Sequence, residues 1–352
     1  MNVGTVTRPA LLLLLGVGLC LFLPDHRLFA YGQLLAYLAA VAGLTVLIGV
    51  SGQVSFGHAG LLATGGYAMA FTQNWLYGLG FTVAPPVRSS RFAASAEPVA
   101  APWTLPVSLL AGVVAALVVG ALVGWAAAGL RGPYLAGLTL AFGLVVLPVS
   151  TLVGALGGEP GFFVHVPAAQ PRTRVWVALA GAALVLALLA RLLRGRMGRR
   201  MRAVRDDEVA AAVTGIPVAR TRVLAFVVSA GTAGLAGGLY VFLTGTVLPG
   251  YFGLTLSLYL VLAVVVGGAG SLAGAAGGTL FVVAVPLLSS AAVSALDVGP
   301  AVAARLAGNL PLLLFGLALV VAPGLRRRPG AYENGPAPAP ASPPTQGRSR
   351  TP

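Results

Sequence analysis

Apolar residues in this chain run in long blocks of about twenty, the length at which a helix crosses a hydrocarbon layer, rather than at the beat of a helix with one wet face. The blocks predict spans near 10–23, 28–50, 54–76, 104–130, 134–154, 174–193, 221–244, 255–269, 272–293 and 306–322. That pattern predicts an all-α polytopic membrane protein of about ten transmembrane helices. The first block is short enough for a signal-peptide core, but no A-x-A-like site precedes Asp25, His26 and Arg27, so it reads as an anchor. Residues 78–102, with Pro85, Pro86, Pro98 and Pro102, read as a polar loop, as do 155–173. From Pro323 the chain turns to Pro, Ala, Ser and Arg. Residues 1–322 thus form the transmembrane domain, and 323–352 a disordered cytoplasmic tail.

The stretch from Arg205 to Tyr240, RDDEVAAAVTGIPVARTRVLAFVVSAGTAGLAGGLY, breaks the pattern by setting a short charged helix before a span of small residues. Asp206, Asp207 and Glu208 fall in the first turn, where acids favour the helix dipole. Val209, Ala212, Val213 and Ile216 follow along one face, and Gly215 with Pro217 stops the helix. A helix over 206–215 is too short to hold alone and needs packing. An apolar face in a charged loop points to a soluble partner.

Composition agrees with a membrane domain: 58% of residues are apolar and 9% charged. A single cysteine, Cys20, excludes an intramolecular disulfide and any multi-cysteine metal site, and no metal is expected. Every basic residue is Arg, so the chain has neither a P-loop lysine nor a Schiff-base lysine, and ATP hydrolysis must come from another chain. The arginines set the orientation. Arg191, Arg194, Arg196, Arg199, Arg200, Arg202, Arg205, Arg220 and Arg222 crowd around the loop 194–220, and Arg326, Arg327 and Arg328 follow the last span. Both groups belong in the cytoplasm, which with ten spans puts both termini there. These arginines flank spans and lack interleaved aromatics, so they mark lipid headgroups rather than nucleic acid.

Two stretches are too rich in glycine for plain spans. Gly49 to Ala70, GVSGQVSFGHAGLLATGGYAMA, places Gln53, Ser55 and His58 in an apolar run, and Gly267 to Gly278 reads GGAGSLAGAAGG. A loose match, Gly52-x-x-Ser55 with Gly60 against Gly268-x-x-Ser271 with Gly274, fits two inverted halves whose broken helices meet near the midplane. Close packing through small residues is the other reading, and Ala230, Gly234 and Gly238, spaced four apart, fit helix packing. Gln53, Ser55 and His58 are candidates for the translocation path, with His58 the ionisable group deepest in a span. A neutral, hydrogen-bonded structural histidine is the competing assignment. No paired acids fall within the membrane, which weighs against a secondary transporter or an intramembrane hydrolase.

The segments SGQVSFGHAGLLATGGYAMA, RGPYLAGLTLAFG (Arg131 to Gly143), the Arg205 to Tyr240 stretch and VVVGGAGSLAGAAGG resemble, in order, the signatures of branched-chain amino acid ABC transporter permeases. Arg131, Gly132 and Tyr134 resemble the LivM-type subunit rather than LivH. The resemblance implies a permease subunit, not an enzyme, in a bacterial plasma membrane, with no cofactor of its own because ATP is bound by partner subunits. It implies a LivH-like permease subunit, two ATP-binding subunits and an extracytoplasmic binding protein as partners, with membrane lipids around them. On it, the short helix becomes the coupling helix, with Arg205, Glu208, Ala211, Ala212 and Gly215 as its coupling residues. The outer loop carries Ala155-Leu156-Gly157-Gly158 where the family has Thr-Gly-Gly, and urea or short-amide permeases share these motifs.

Cysteines placed at Ser95 and Ala203 in a Cys20→Ser background test the orientation. An impermeant maleimide should label the first in intact cells and the second only after lysis. Labelling of both from outside would overturn the topology.

Overall fold

The structure, a computed structural model, describes residues 16–18, 20–83, 98–130, 132–158, 160–167, 170–296 and 299–326. Its helices are α1 (Asp25–Thr45), α2 (His58–Gly78), α3 (Thr104–Ala127), α4 (Pro133–Leu152), α5 (Pro171–Arg194), α6 (Arg196–Asp206), α7 (Glu208–Val213), α8 (Val218–Thr244), α9 (Leu254–Gly267), α10 (Leu272–Ala295) and α11 (Pro300–Arg326). Two small antiparallel ribbons join the loops: β1 (Thr82–Val83) pairs with β2 (Val99–Ala100), and β3 (Phe162–Phe163) with β4 (Thr246–Val247). The fold is thus an all-α polytopic one.

Among the described residues, eight helices are long and apolar enough to cross a membrane, so the predicted count of about ten is not confirmed. Half of the first predicted span lies outside the described residues. The third predicted span is helical as α2 but is not among the eight, since it carries His58, Gln73, Asn74 and several glycines. Burial makes up for its polarity. Most of α2 is enclosed by neighbours, whereas α3 turns Leu110, Val114, Val118, Leu122 and Trp125 outward. At the other end of the chain, α11 runs through Pro323 to Arg326, because one proline removes only one hydrogen bond from a long helix. The rest of the predicted tail, and Arg131 of the resemblance, lie outside the described residues.

The core is built on α8, which packs against α1, α2 and α3. Contact there is between backbones, which only small side chains allow. The buried stripe of α3, Thr104, Ser108, Gly112, Ala116, Gly120 and Gly124, advances four residues at a time. On α8 it meets Phe226, Ala230, Gly234 and Gly238. A methyl group on Gly234 would overlap the Ala116 side chain, one on Gly120 would overlap Ala230, and one on Gly238 would sit 2.9 Å from Leu109 Cδ2. From the other side, a methyl on Gly65 of α2 would strike the backbone of Gly234. The glycines trade side-chain volume for close approach, and dispersion contacts between backbones take over the cohesion.

Both glycine-rich stretches form a helix, a break and a second helix: α1 to α2, and α9 to α10. They touch, with Gly49 lying on the backbone of Ala269 and Gly270. This contact is beside Arg205, at the arginine-rich end of the bundle. There 268–271 is a tight turn at a helix end, with positive φ at Gly268 and Gly270.

Substituting Gly65→Val should therefore lower the thermal stability of the purified complex by the equivalent of about 1–3 kcal/mol or more. Gly137→Ala, where a methyl meets no heavy atom within 4 Å, should be neutral. Equal effects in a thermal unfolding assay would contradict the packing account.

Candidate functional site

Residues 51–57 form a stretch of irregular backbone inside the bundle. Helix α1 loosens into a π-turn over Val46–Val50 and then ends, with Gly52 at φ 75°. The chain next turns back into the bundle. When α2 begins at His58, it lies beside the Ala40 backbone, about 15 Å back along α1 at 1.5 Å per residue. Irregular backbone at that depth must find partners in protein or water. Here Thr139 Oγ1 of α4 accepts from the Phe56 N–H at 3.1 Å, Ser257 Oγ of α9 accepts from the Ala59 N–H at 3.0 Å, and the Leu47 carbonyl accepts from the Gln53 N–H at 3.0 Å. Gly57 lies so close to the Thr139 carbonyl that any side chain would overlap it.

The segment alternates like a strand. Ser51, Gln53, Ser55 and Gly57 face inward, while Gly52 and Val54 are exposed and Phe56 is half-buried. Gln53, Ser55 and His58, the residues read from the sequence as a translocation path, are at most 4% exposed. In this subunit all three are enclosed by protein, and Gln53 ties the segment to its neighbours. The Gln53 side-chain amide donates to Ser51 Oγ and to the Arg222 carbonyl of α8. The His58 ring faces the Ala40 backbone, and Ser55 Oγ is buried without a close protein partner. Buried groups in that state require water or a rearrangement. The open face belongs to Gly52, Val54 and Phe56, which sequence reading missed. The period-two alternation was there, but its residues were divided between the gap at 51–53 and the predicted span 54–76.

At the arginine-rich end, the predicted helix 206–215 is two helices. Asp206 closes α6, and Asp207 drops to extended backbone at φ −153° and caps α7, its Oδ1 accepting from the Val209 and Ala210 N–H groups at 2.9 Å each. Only Glu208 to Val213 remains helical before Gly215 turns the chain at φ 80°. The acids were read as dipole partners in one turn, but an N-capping Asp takes extended backbone and so separates the helices. Val209, Ala212 and Val213 point outward, Val213 being 83% exposed, while Ala211 is buried at 4%.

Two arginines anchor this pair of helices to the bundle. Arg205 gives Nη1 to the Gly49 carbonyl, and its Nε and Nη2 to Asp206 Oδ1 at 3.0 and 2.9 Å. Its aliphatic stem lies across Gly52. Arg222 of α8 gives Nη2 to Glu208 Oε2 at 3.0 Å and Nη1 to the Ala128 carbonyl at 3.3 Å, with both side chains of the pair largely buried. The same residue's carbonyl holds Gln53. Helix α7 is thus tied through polar contacts to the end of α1 and to the re-entrant segment. Of these residues the sequence had marked Arg205, Glu208 and Gln53, but not Arg222 or the capping role of Asp207.

A cavity of about 220 Å³ opens between α1, α9 and α10. Val41, Leu256 and Leu260 give it an aliphatic lining, and Gln33, Tyr37, Tyr259 and Thr279 supply polar tips. The ring of Tyr37 stacks on Tyr240 at 5.6 Å. No sequence signal marked these residues, because each stands alone in an apolar block. Among the described residues, no group of three or more His, Cys, Asp or Glu side chains is placed to hold a metal.

A family model for the permease component of the branched-chain amino acid transport system matches residues 28–323. Two curated relatives carry the name high-affinity branched-chain amino acid transport system permease protein LivM. The one from Salmonella typhimurium (strain LT2) is 34% identical over 268 residues, and the one from Escherichia coli (strain K12) 32% over 267. Each alignment covers 67% of this chain, which spans 57% of the length of the curated relatives it matches. No solved structure matches significantly. With the model matched from the start of α1 almost to the end of α11, the chain belongs to the family of branched-chain amino acid transport permease components.

Proposed function

We propose that this chain is the LivM-like permease subunit of an ATP-binding cassette importer for branched-chain amino acids in a bacterial plasma membrane, with both termini cytoplasmic. A LivH-like subunit completes the pore, two ATP-binding subunits dock on the cytoplasmic face, and an extracytoplasmic protein delivers the substrate. This subunit performs no covalent chemistry and holds no cofactor; ATP stays on its partners. The observation that carries the reading, beside family membership, is α7. Its outward face is apolar, its inward face is fixed, and its anchors lead to the re-entrant segment.

The mechanism follows from those anchors. A partner closing on ATP presses on Val209, Ala212 and Val213. The Asp207 cap and the Arg222–Glu208 pair keep α7 from yielding, so it moves together with α8. Arg205 carries the same displacement to Gly49 and Gly52. The open face at Gly52, Val54 and Phe56 lines the path, while Gln53, Ser55 and His58 hold the segment and regroup when it shifts. Ala211 and Gly215 position α7 rather than touch the partner. The aliphatic walls and few polar tips of the α1–α9–α10 cavity suit a branched side chain better than urea, which has no apolar surface to bury.

Replacing Val209 and Val213 together by Glu tests the reading. Both side chains are exposed, so membrane insertion should persist. A carboxylate forced into an apolar interface costs several kcal/mol, so co-purification of the ATP-binding subunits and leucine uptake should each fall by about a hundredfold or more. Unchanged co-purification with uptake retained would sink the proposal.

A further inference from the structure

A groove of about 660 Å³ runs between α3 and α5 with α8 as its floor. Its lining is entirely aliphatic apart from Thr232, and the small residues Ala180, Gly181 and Gly231 give it depth. Along α5 it extends from Val177 to Leu192, about 22 Å at 1.5 Å per residue. That is longer than one leaflet, which takes about half of a ~30 Å hydrocarbon core.

The groove ends among arginines. On α5 its stripe through Leu184 and Leu188 continues at helical spacing to Arg191, and on α8 the stripe through Val228 leads back through Leu224 to Arg220. Several other arginines here are occupied: Arg199 and Arg202 donate to the carbonyls of Arg194 and Leu193, Arg205 to Gly49 and Asp206, and Arg222 to Glu208 and Ala128. Arg196 and Arg200 have no such partner among the described residues but lie on α6, which does not line the groove. The nearby acids are occupied too, since Asp206 holds Arg205, Asp207 caps α7 and Glu208 holds Arg222. Among the described residues, the side chains of Arg191 and Arg220 have neither an ion pair nor a hydrogen bond. Two exposed guanidinium groups without a protein partner therefore stand on the two helices that run out from this end of the apolar channel, with Arg220 about two turns beyond Val228. This combination complements an acidic head on a long hydrocarbon tail, and a wholly apolar partner helix would leave both charges unmatched.

We infer that the α3–α5–α8 groove binds one anionic phospholipid, an acyl chain lying along Leu184, Leu188 and Val228 and the phosphate held by Arg191 and Arg220. The site is separate from the α7 anchors and does not depend on the transport assignment. Guanidinium groups clamp phosphate through paired N–H donors, and interfacial arginines draw acidic lipids to the cytoplasmic leaflet.

The test uses the assembled complex, stripped of lipid in detergent and titrated with phosphatidylglycerol or phosphatidylethanolamine of the same chains, with retained lipid counted by native mass spectrometry. Wild type should hold one more phosphatidylglycerol than phosphatidylethanolamine. Arg191→Gln with Arg220→Gln should weaken the phosphatidylglycerol site about thirtyfold. Ala180→Trp fills the groove from an exposed position and should remove that lipid with the arginines intact. Lipid-free thermal unfolding of the arginine double variant should match wild type, so that a loss of binding is not misfolding. Equal retention of the two lipids, or no effect of the arginine pair, would overturn the proposal. So would an Ala180→Trp protein that keeps its lipid but sheds the second permease subunit, because the groove would then be a subunit interface.

Discussion

Irregular backbone cannot lie unpaired inside a membrane protein, and residues 51–57 put such backbone in the middle of the bundle. Much of the remaining architecture answers that constraint. Helix α4 brings Thr139, α9 brings Ser257, α8 brings the Arg222 carbonyl, and α6 brings Arg205 to the carbonyl freed where α1 stops. Glycine at 57 lets α4 come close enough to do this, and the small-residue stripes of α3 and α8 draw the surrounding helices to the same spacing.

Much of this was legible in the sequence. Blocks of twenty apolar residues locate the long helices because length and composition alone decide whether a helix can cross a bilayer. Ala230, Gly234 and Gly238 lie where α8 crosses its neighbours because a four-residue stripe of small side chains has one effective use in an apolar medium. The family's short helix and its Arg205 stood out as charge in an apolar chain. Hydropathy placed the end of α1 at 50 but gave residues 54–57 to the next span, because a buried strand-like turn carries the same apolar average as a span. The split between α6 and α7 was hidden for a related reason: Asp207 as a cap and Asp207 in a first turn leave the same sequence signature, and only its extended backbone decides. The partners of Arg222 and the cavity beside Tyr37 depend on contacts between distant segments, which no local pattern encodes.

Coupling in this account is rigid and local. The exposed face of α7 connects to the re-entrant segment through Glu208 and Arg222 to Gln53, while Arg205 of the adjoining α6 holds the Gly49 carbonyl at the end of α1 and lays its stem across Gly52. A guanidinium suits such a joint because its planar fork can hold an acid and a carbonyl at once. The most direct test is Arg205→Gln in the reconstituted transporter, with ATPase co-purification, ATP hydrolysis and leucine uptake measured on one preparation. The account predicts that docking and hydrolysis persist while uptake falls by about tenfold or more, the loss expected for one charged hydrogen-bonded link. Uptake at the wild-type rate, or docking lost in step with uptake, would contradict it.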